Sequence, residues 1–185
     1  YMQGPLALTA ATAGLILLPG SLLNGAMSPF MGYLFDKFGP RVLMIPASIV
    51  LSGAMYVMSR LNVDTPLWIV IVSYILLMLS VSAIMMPAET NGLNQLPKHL
   101  YPHGTAVMTT LQPVTGAIGV AVFVSIMNAR QLQFLQNSGN PQDPDTINQA
   151  MVAGVELVYF ISFSISIIAV ILSFIVYRAT PKKTD

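Results

Sequence analysis

The chain alternates five long apolar segments with short polar connections. Each apolar segment reaches the roughly 20 residues that a helix needs to cross the hydrocarbon core of a bilayer. Glycine and proline recur inside the segments, and membrane helices tolerate them because neighbouring helices satisfy the freed backbone groups. The pattern predicts an all-α polytopic membrane protein with five transmembrane helices. The predicted spans cover about residues 10–34, 40–59, 67–92, 104–128 and 155–177.

Composition excludes a soluble protein and several kinds of site. The 185 residues are 55% hydrophobic and 8% charged, with a mean hydropathy of +0.71, whereas soluble domains carry about 25% charged residues. The lipid bilayer is therefore the expected surrounding. The absence of cysteine excludes disulfides, thiolate catalysis and cysteine-ligated metals. The net charge of +1 and the lack of a basic cluster indicate no nucleic-acid partner.

The basic residues predict the orientation. Alternating spans place two basic residues, Arg60 and Arg130, on one side of the bilayer and six on the other. Because cytoplasmic connections carry an excess of lysine and arginine, the side with six is predicted to be cytoplasmic, including the C-terminus. The connection at 129–154 is then outside, and its turn-like segments predict a long polar loop. The six are Lys37, Arg41, Lys98, Arg178, Lys182 and Lys183.

A short charged turn at 32–41 joins the first two spans. Pro40 suits a helix start, because proline at the first helical position loses no needed N–H. Asp36 is expected just before that start, where the positive end of the helix dipole favours a carboxylate. Three charges in so few residues therefore predict a tight turn between antiparallel helices at one membrane face.

This turn, Gly-x-Leu-x-Asp-Lys-x-Gly-x-Arg, resembles the cytoplasmic-loop signature of the major facilitator superfamily. The resemblance implies that the five spans form most of the C-terminal half of a major facilitator fold. It also implies that the N-terminal half of the same transporter is absent, and the chain looks truncated at Tyr1. Other segments resemble the fourteen-helix drug/proton antiporters of that superfamily: 1–4, 14–20, 28–29, 103–106, Gln112 and 116–121.

By this resemblance, the turn is predicted to act as a gate. Asp36 and Arg41 would engage and release neighbouring groups as the transporter changes state, and Gly32 and Gly39 would permit a close approach. The alternative is a helix-capping turn whose charges only set the topology. Transport by an Asp36→Asn protein distinguishes the two.

Glu89 is the sharpest single candidate for substrate or proton coupling, because charges within membrane helices are costly and often functional. Helical spacing places Met85 on the same face, and a carboxylate beside a polarizable methionine suits a greasy cation. The resemblance implies that this span lines the central cavity. The alternative is that Glu89 reaches the cytoplasmic headgroups.

Three polar side chains complete the candidate set. Asn91 and Asn94 lie on a different face of the third span, where they could contact substrate or join helices. Gln112 belongs to a stripe that predicts a packing seam in the fourth span, and it is a candidate for cavity lining. His99 and His103 have four-residue spacing, but Pro102 between them argues against a metal pair, so no metal or cofactor is predicted. The stripe contains Thr105, Thr109, Gln112, Gly116 and Gly119.

We therefore predict part of a proton-coupled multidrug efflux transporter of the bacterial plasma membrane. It would work by alternating access and export amphiphilic or cationic compounds in exchange for protons. One alternative is a transporter of the same fold with a narrow physiological substrate. Another is a freestanding membrane scaffold. An enzyme is not expected, because no Ser/His or paired-Asp arrangement lies on adjacent spans.

Overall fold

The computed structural model of the chain describes residues 1–2 and 4–176 and shows five long helices. All five are long and apolar enough to cross a membrane, which confirms the prediction of an all-α polytopic fold. A 3₁₀ turn at Lys98–Leu100 precedes the fourth helix. Arg178, Lys182 and Lys183 lie outside the described residues. The helices are α1 (Ala10–Phe38), α2 (Pro40–Met58), α3 (Leu67–Leu93), α4 (Tyr101–Gln136) and α5 (Pro144–Ile175).

The helices pack in an order that differs from their order in the chain. Helix α3 packs against both α1 and α2, α2 also packs against α5, and α5 packs against α4. Helices α2, α3 and α5 bury seven, six and five residues, whereas α1 buries three and α4 buries none of its 36 residues. Helices α1 and α4 therefore present most of their surface to the surroundings of the bundle.

Buried serines join α2 to α5. The hydroxyls of Ser52 and Ser166 are 2.8 Å apart, and Ser48 donates to Ser173 at 3.3 Å. All four side chains are buried. Small residues let two membrane helices approach closely, and the shared hydroxyl bonds satisfy polar groups that lipid cannot. The α2–α5 pair is thus held by packing and by polar contacts.

The prediction of a long polar loop at 129–154 is wrong, because helices occupy most of it. Helix α4 continues to Gln136 and α5 begins at Pro144, which leaves residues 137–143 as the connection. Asp143 caps α5 by accepting a hydrogen bond from the backbone N–H of Thr146 at 3.2 Å, and Pro144 suits the first helical position. The eight helical residues at 129–136 extend α4 about 12 Å beyond the predicted span.

A single residue, Gly39, separates α1 from α2. Its φ of 79° and ψ of 175° lie in a region that is essentially restricted to glycine, and its N–H donates to the Phe35 carbonyl at 2.8 Å. Because α1 continues to Phe38, Asp36 lies in the last turn of α1 rather than just before the start of α2. The N-cap position of α2 is therefore occupied by Gly39, and Asp36 belongs to α1.

Candidate functional site

The residues of the predicted gate contact two other helices. At Gly32, an added Cβ would lie 2.6 Å from the methyl carbon of Met86, so this glycine lets α1 approach α3. The exposed Arg41 donates from Nη2 to the carbonyl of Phe174 at 2.9 Å. Its Nε donates to the carbonyl of Val176. The structure therefore ties the turn to the end of α5 as well as to α3.

The contact of Arg41 with α5 has a simple physical basis. The last carbonyls of a helix have no partner within the helix, and the negative end of the helix dipole attracts a cation. Arginine supplies several donors in a planar group that suits such acceptors. Sequence analysis missed this contact because Phe174 and Val176 lie 133 and 135 positions after Arg41 in the chain.

Glu89 and Met85 lie together on an exposed side of α3. Both side chains are exposed, and Met85 retains 38% of its accessible surface. The neighbouring Met86 turns instead toward Gly32 of α1. Residues four apart on a helix are neighbours on its surface. The carboxylate and the thioether are therefore both accessible from the same side of the bundle.

The other three candidates do not join this pair in one pocket. Asn91 lines a cavity of about 390 Å³ beside Leu172 and Val176, at the end of α5. The oxygen Oδ1 of Asn94 accepts a hydrogen bond from the Tyr101 hydroxyl at 3.3 Å. Gln112 lies exposed on α4. The structure thus places the polar candidates at three separate locations.

The polar stripe of α4 forms no helix–helix seam within the described part of the chain. Gln112 is exposed, and an added Cβ at Gly116 or Gly119 would meet no neighbouring atom within 4 Å. Helix α5 packs on a different side of α4, where Gly154 meets Met127. The stripe is therefore available to water or to another part of the protein.

Sequence analysis did not predict a cavity of about 580 Å³ near the end of the bundle opposite the Gly39 turn. Its walls are apolar and aromatic and come from all five helices, so no local motif could reveal it. At its rim the Tyr1 hydroxyl donates to the Asn62 carbonyl at 2.9 Å. Burial raises the pKa of this phenol above its ordinary value. Its principal lining residues are Leu17, Met58, Tyr74, Met127 and Tyr159.

Comparison with known proteins identifies the family. The family model of the Major Facilitator Superfamily matches residues 1–185. The lincomycin resistance protein LmrB of Bacillus subtilis is 47% identical over 96% of the chain. LmrB of Listeria monocytogenes is 45% identical over 97% of the chain. A more distant relative, the riboflavin transporter RibZ of Clostridioides difficile, is 24% identical over 98% of the chain.

The alignments cover only part of each relative. The chain spans 37% of the length of the Bacillus LmrB and 38% of the lengths of the Listeria LmrB and RibZ. The match across its full length agrees with the five apolar helices and with the signature at 32–41. The chain belongs to the major facilitator superfamily.

Proposed function

We propose that the full-length protein is a proton-coupled multidrug exporter and that this chain forms most of its C-terminal half. The observation that carries the proposal is the 47% identity to a lincomycin resistance protein over 96% of the chain. The exported compounds would be amphiphilic or cationic. The membrane would be the bacterial plasma membrane, with the 32–41 turn and the C-terminus in the cytoplasm, as the distribution of basic residues favours.

The exposed faces of α1 and α4 support a transporter built from two halves. Helix α4 buries none of its residues, although its stripe contains threonines, glycines and Gln112. Polar groups facing lipid are costly, so this face is better suited to a water-filled cavity or to another protein surface. In an alternating-access cycle, the N-terminal half would rock against this surface.

Glu89 and Met85 are the side chains proposed to meet the cation or the coupled proton. Both are accessible on one side of α3, and a carboxylate can hold a cation or exchange a proton. Gln112 would line the cavity from α4. The contacts of Asn91 beside α5 and of Asn94 with Tyr101 favour helix packing for those two residues.

The Glu89→Gln substitution tests this role in the full-length protein. It removes the charge with little change in shape, so a coupling role predicts loss of resistance and loss of its pH dependence at equal expression. Thr90→Ser, at the adjacent position, is the control. Unchanged resistance at every pH would show that Glu89 only reaches the headgroups.

The turn is proposed to gate the cytoplasmic side. Arg41 would hold the end of α5 in one state, while Asp36 would exchange partners between states. Asp36→Asn should lower the transport rate without lowering the amount of protein in the membrane. Normal transport by that variant would reduce the turn to a topological role.

A same-fold transporter with a narrow physiological substrate is the second candidate. The observation in favour of this candidate is the 24% identity to a riboflavin transporter over 98% of the chain. Expression of the full-length protein in a bacterial strain without major exporters separates the two. A multidrug exporter should raise resistance to several unrelated amphiphilic or cationic compounds, and dissipation of the proton gradient should abolish the effect. Transport of one metabolite without any resistance would favour the second candidate.

A further inference from the structure

A charged cavity of about 490 Å³ lies at the end of the bundle opposite the Gly39 turn. We call it the arginine cavity. It is formed where the chain leaves α2, where α4 passes the predicted membrane boundary, and along the first half of α5. The side chains that matter are Arg60, Arg130, Gln133, Glu156, Leu157 and Phe160.

The arginine cavity gathers the two basic residues that the sequence assigns to the less basic side of the membrane. Arg60 and Arg130 lie 70 positions apart in the chain, yet they line the same cavity. Glu156 is the carboxylate in the lining. Two guanidinium charges and one carboxylate leave a net positive charge, so the cavity favours an anion.

The contacts that the two guanidinium groups make among the described residues use little of their donor capacity. Arg60 stacks on the ring of Tyr56, with its guanidinium carbon 5.3 Å from the ring centroid, and it also borders a depression that contains Asp64. Arg130 donates from Nη1 to Oε1 of Gln133 at 3.2 Å. Within residues 1–2 and 4–176, neither arginine forms an ion pair. Each guanidinium carries five N–H donors, so most remain available to a ligand.

The cavity is polar at one end and apolar at the other. Along α5 the lining passes from Glu156 to Leu157 and then to Phe160, which is 53% exposed. This direction leads from the helix start toward the middle of the apolar span, because α5 begins at Pro144. At the same end of the bundle, Trp68 is 63% exposed in the first turn of α3, a position typical of the membrane interface.

We propose that the arginine cavity binds the phosphate of a membrane phospholipid, whose acyl chains lie over Leu157 and Phe160. Arginine is well suited to phosphate because its planar fork can form two parallel hydrogen bonds to the oxygens. The apolar wall beneath supplies the contact for the acyl chains. The preference for a phosphate headgroup follows from the two arginines that line the cavity. With the orientation proposed above, this end of the bundle lies outside, so the lipid would belong to the outer leaflet.

The test uses the purified full-length protein in detergent. Short-chain phosphatidylglycerol is titrated, and binding is measured by native mass spectrometry and by the shift in the thermal unfolding midpoint. Diacylglycerol with the same chains tests whether the phosphate is needed. Inorganic phosphate tests whether a free anion is sufficient. The variants are Arg60→Gln, Arg130→Gln and Glu156→Gln, and Lys98→Gln at the opposite end of the bundle is the charge-matched control.

The proposal predicts opposite effects for the arginine and glutamate variants. Each arginine substitution should weaken phosphatidylglycerol binding about tenfold, and Lys98→Gln should leave it unchanged. Glu156→Gln should tighten binding about threefold because it removes a competing carboxylate, and a misfolded protein would not gain affinity. Neither diacylglycerol nor inorganic phosphate should reproduce the shift. Equal binding of diacylglycerol, an equal effect of inorganic phosphate, or tight binding by both arginine variants would overturn the proposal.

Discussion

Replacement of Gly154 with alanine tests how closely α4 and α5 must approach. An added Cβ at this position would lie 2.8 Å from the carbonyl oxygen of Met127 and 2.9 Å from Cγ of Gln131. Side chains can move aside, but the Met127 carbonyl belongs to the backbone of α4, so relief requires the two helices to separate. Overpacking of this kind costs about 1–3 kcal/mol, and the better helix propensity of alanine returns at most about 1 kcal/mol.

We therefore expect Gly154→Ala to destabilise the α4–α5 hairpin by up to about 2 kcal/mol net of the helix-propensity gain, and by about 1–3 kcal/mol relative to a glycine-to-alanine control that meets no neighbour. Since α5 is the main helix that α4 contacts, the change should also loosen α4 and reduce transport. The matched control is Gly53→Ala in α2, because an added Cβ there meets nothing within 4 Å. Stability is measured on the full-length protein by denaturant titration in mixed micelles. Equal or greater stability of Gly154→Ala relative to Gly53→Ala would refute the close approach.

Three further substitutions address the turn and the helix contacts. Gly39→Ala forces a side chain into a glycine-only conformation, so the free energy of unfolding should fall by about 1–3 kcal/mol, whereas Gly25→Ala, in open space, should not lower it. Arg41→Gln should lower stability by less than about 1.5 kcal/mol, because the side chain is exposed. Hydrogen exchange checks the effect of Arg41→Gln: exchange should become faster at the end of α5 and stay unchanged in the α4–α5 hairpin. Ser166→Ala should cost about 0.6 kcal/mol, seen in the same micelle titration, and a neutral result would show that the bond to Ser52 adds nothing.

The hydrophobic pattern was sufficient to predict the fold class, because lipid leaves the backbone few alternatives to the helix. The same pattern is misleading at 129–154, where most of the polar residues lie in α4 and α5 rather than in a loop. Bilayer thickness limits the apolar stretch of a helix but not the helix itself, and the cap at Asp143 together with Pro144 starts α5 well before its apolar part. A capping signal followed by helix-forming residues could have revealed this extension.

Among the site residues, those that share one helix face could be predicted from the sequence, whereas those that meet across helices could not. Glu89 and Met85 share a face because helical spacing is local, and that could be predicted. The contacts of Arg41 with α5 and the shared cavity of Arg60 and Arg130 depend on which helices are neighbours. Helix adjacency is a tertiary property, since the chain order α1 to α5 does not match the packing order. No periodicity within one segment carries that information.

The central claim is that these helices span a bilayer with the Gly39 turn on the cytoplasmic side. The chain contains no cysteine, so single cysteines can be placed in a cysteine-free version of the full-length protein. The exposed positions Asp64 and Lys98 lie at opposite ends of α3. We predict that a membrane-impermeant maleimide labels Asp64→Cys in intact cells but labels Lys98→Cys only after permeabilisation. Labelling of both positions in intact cells, or of Lys98→Cys alone, would contradict the account.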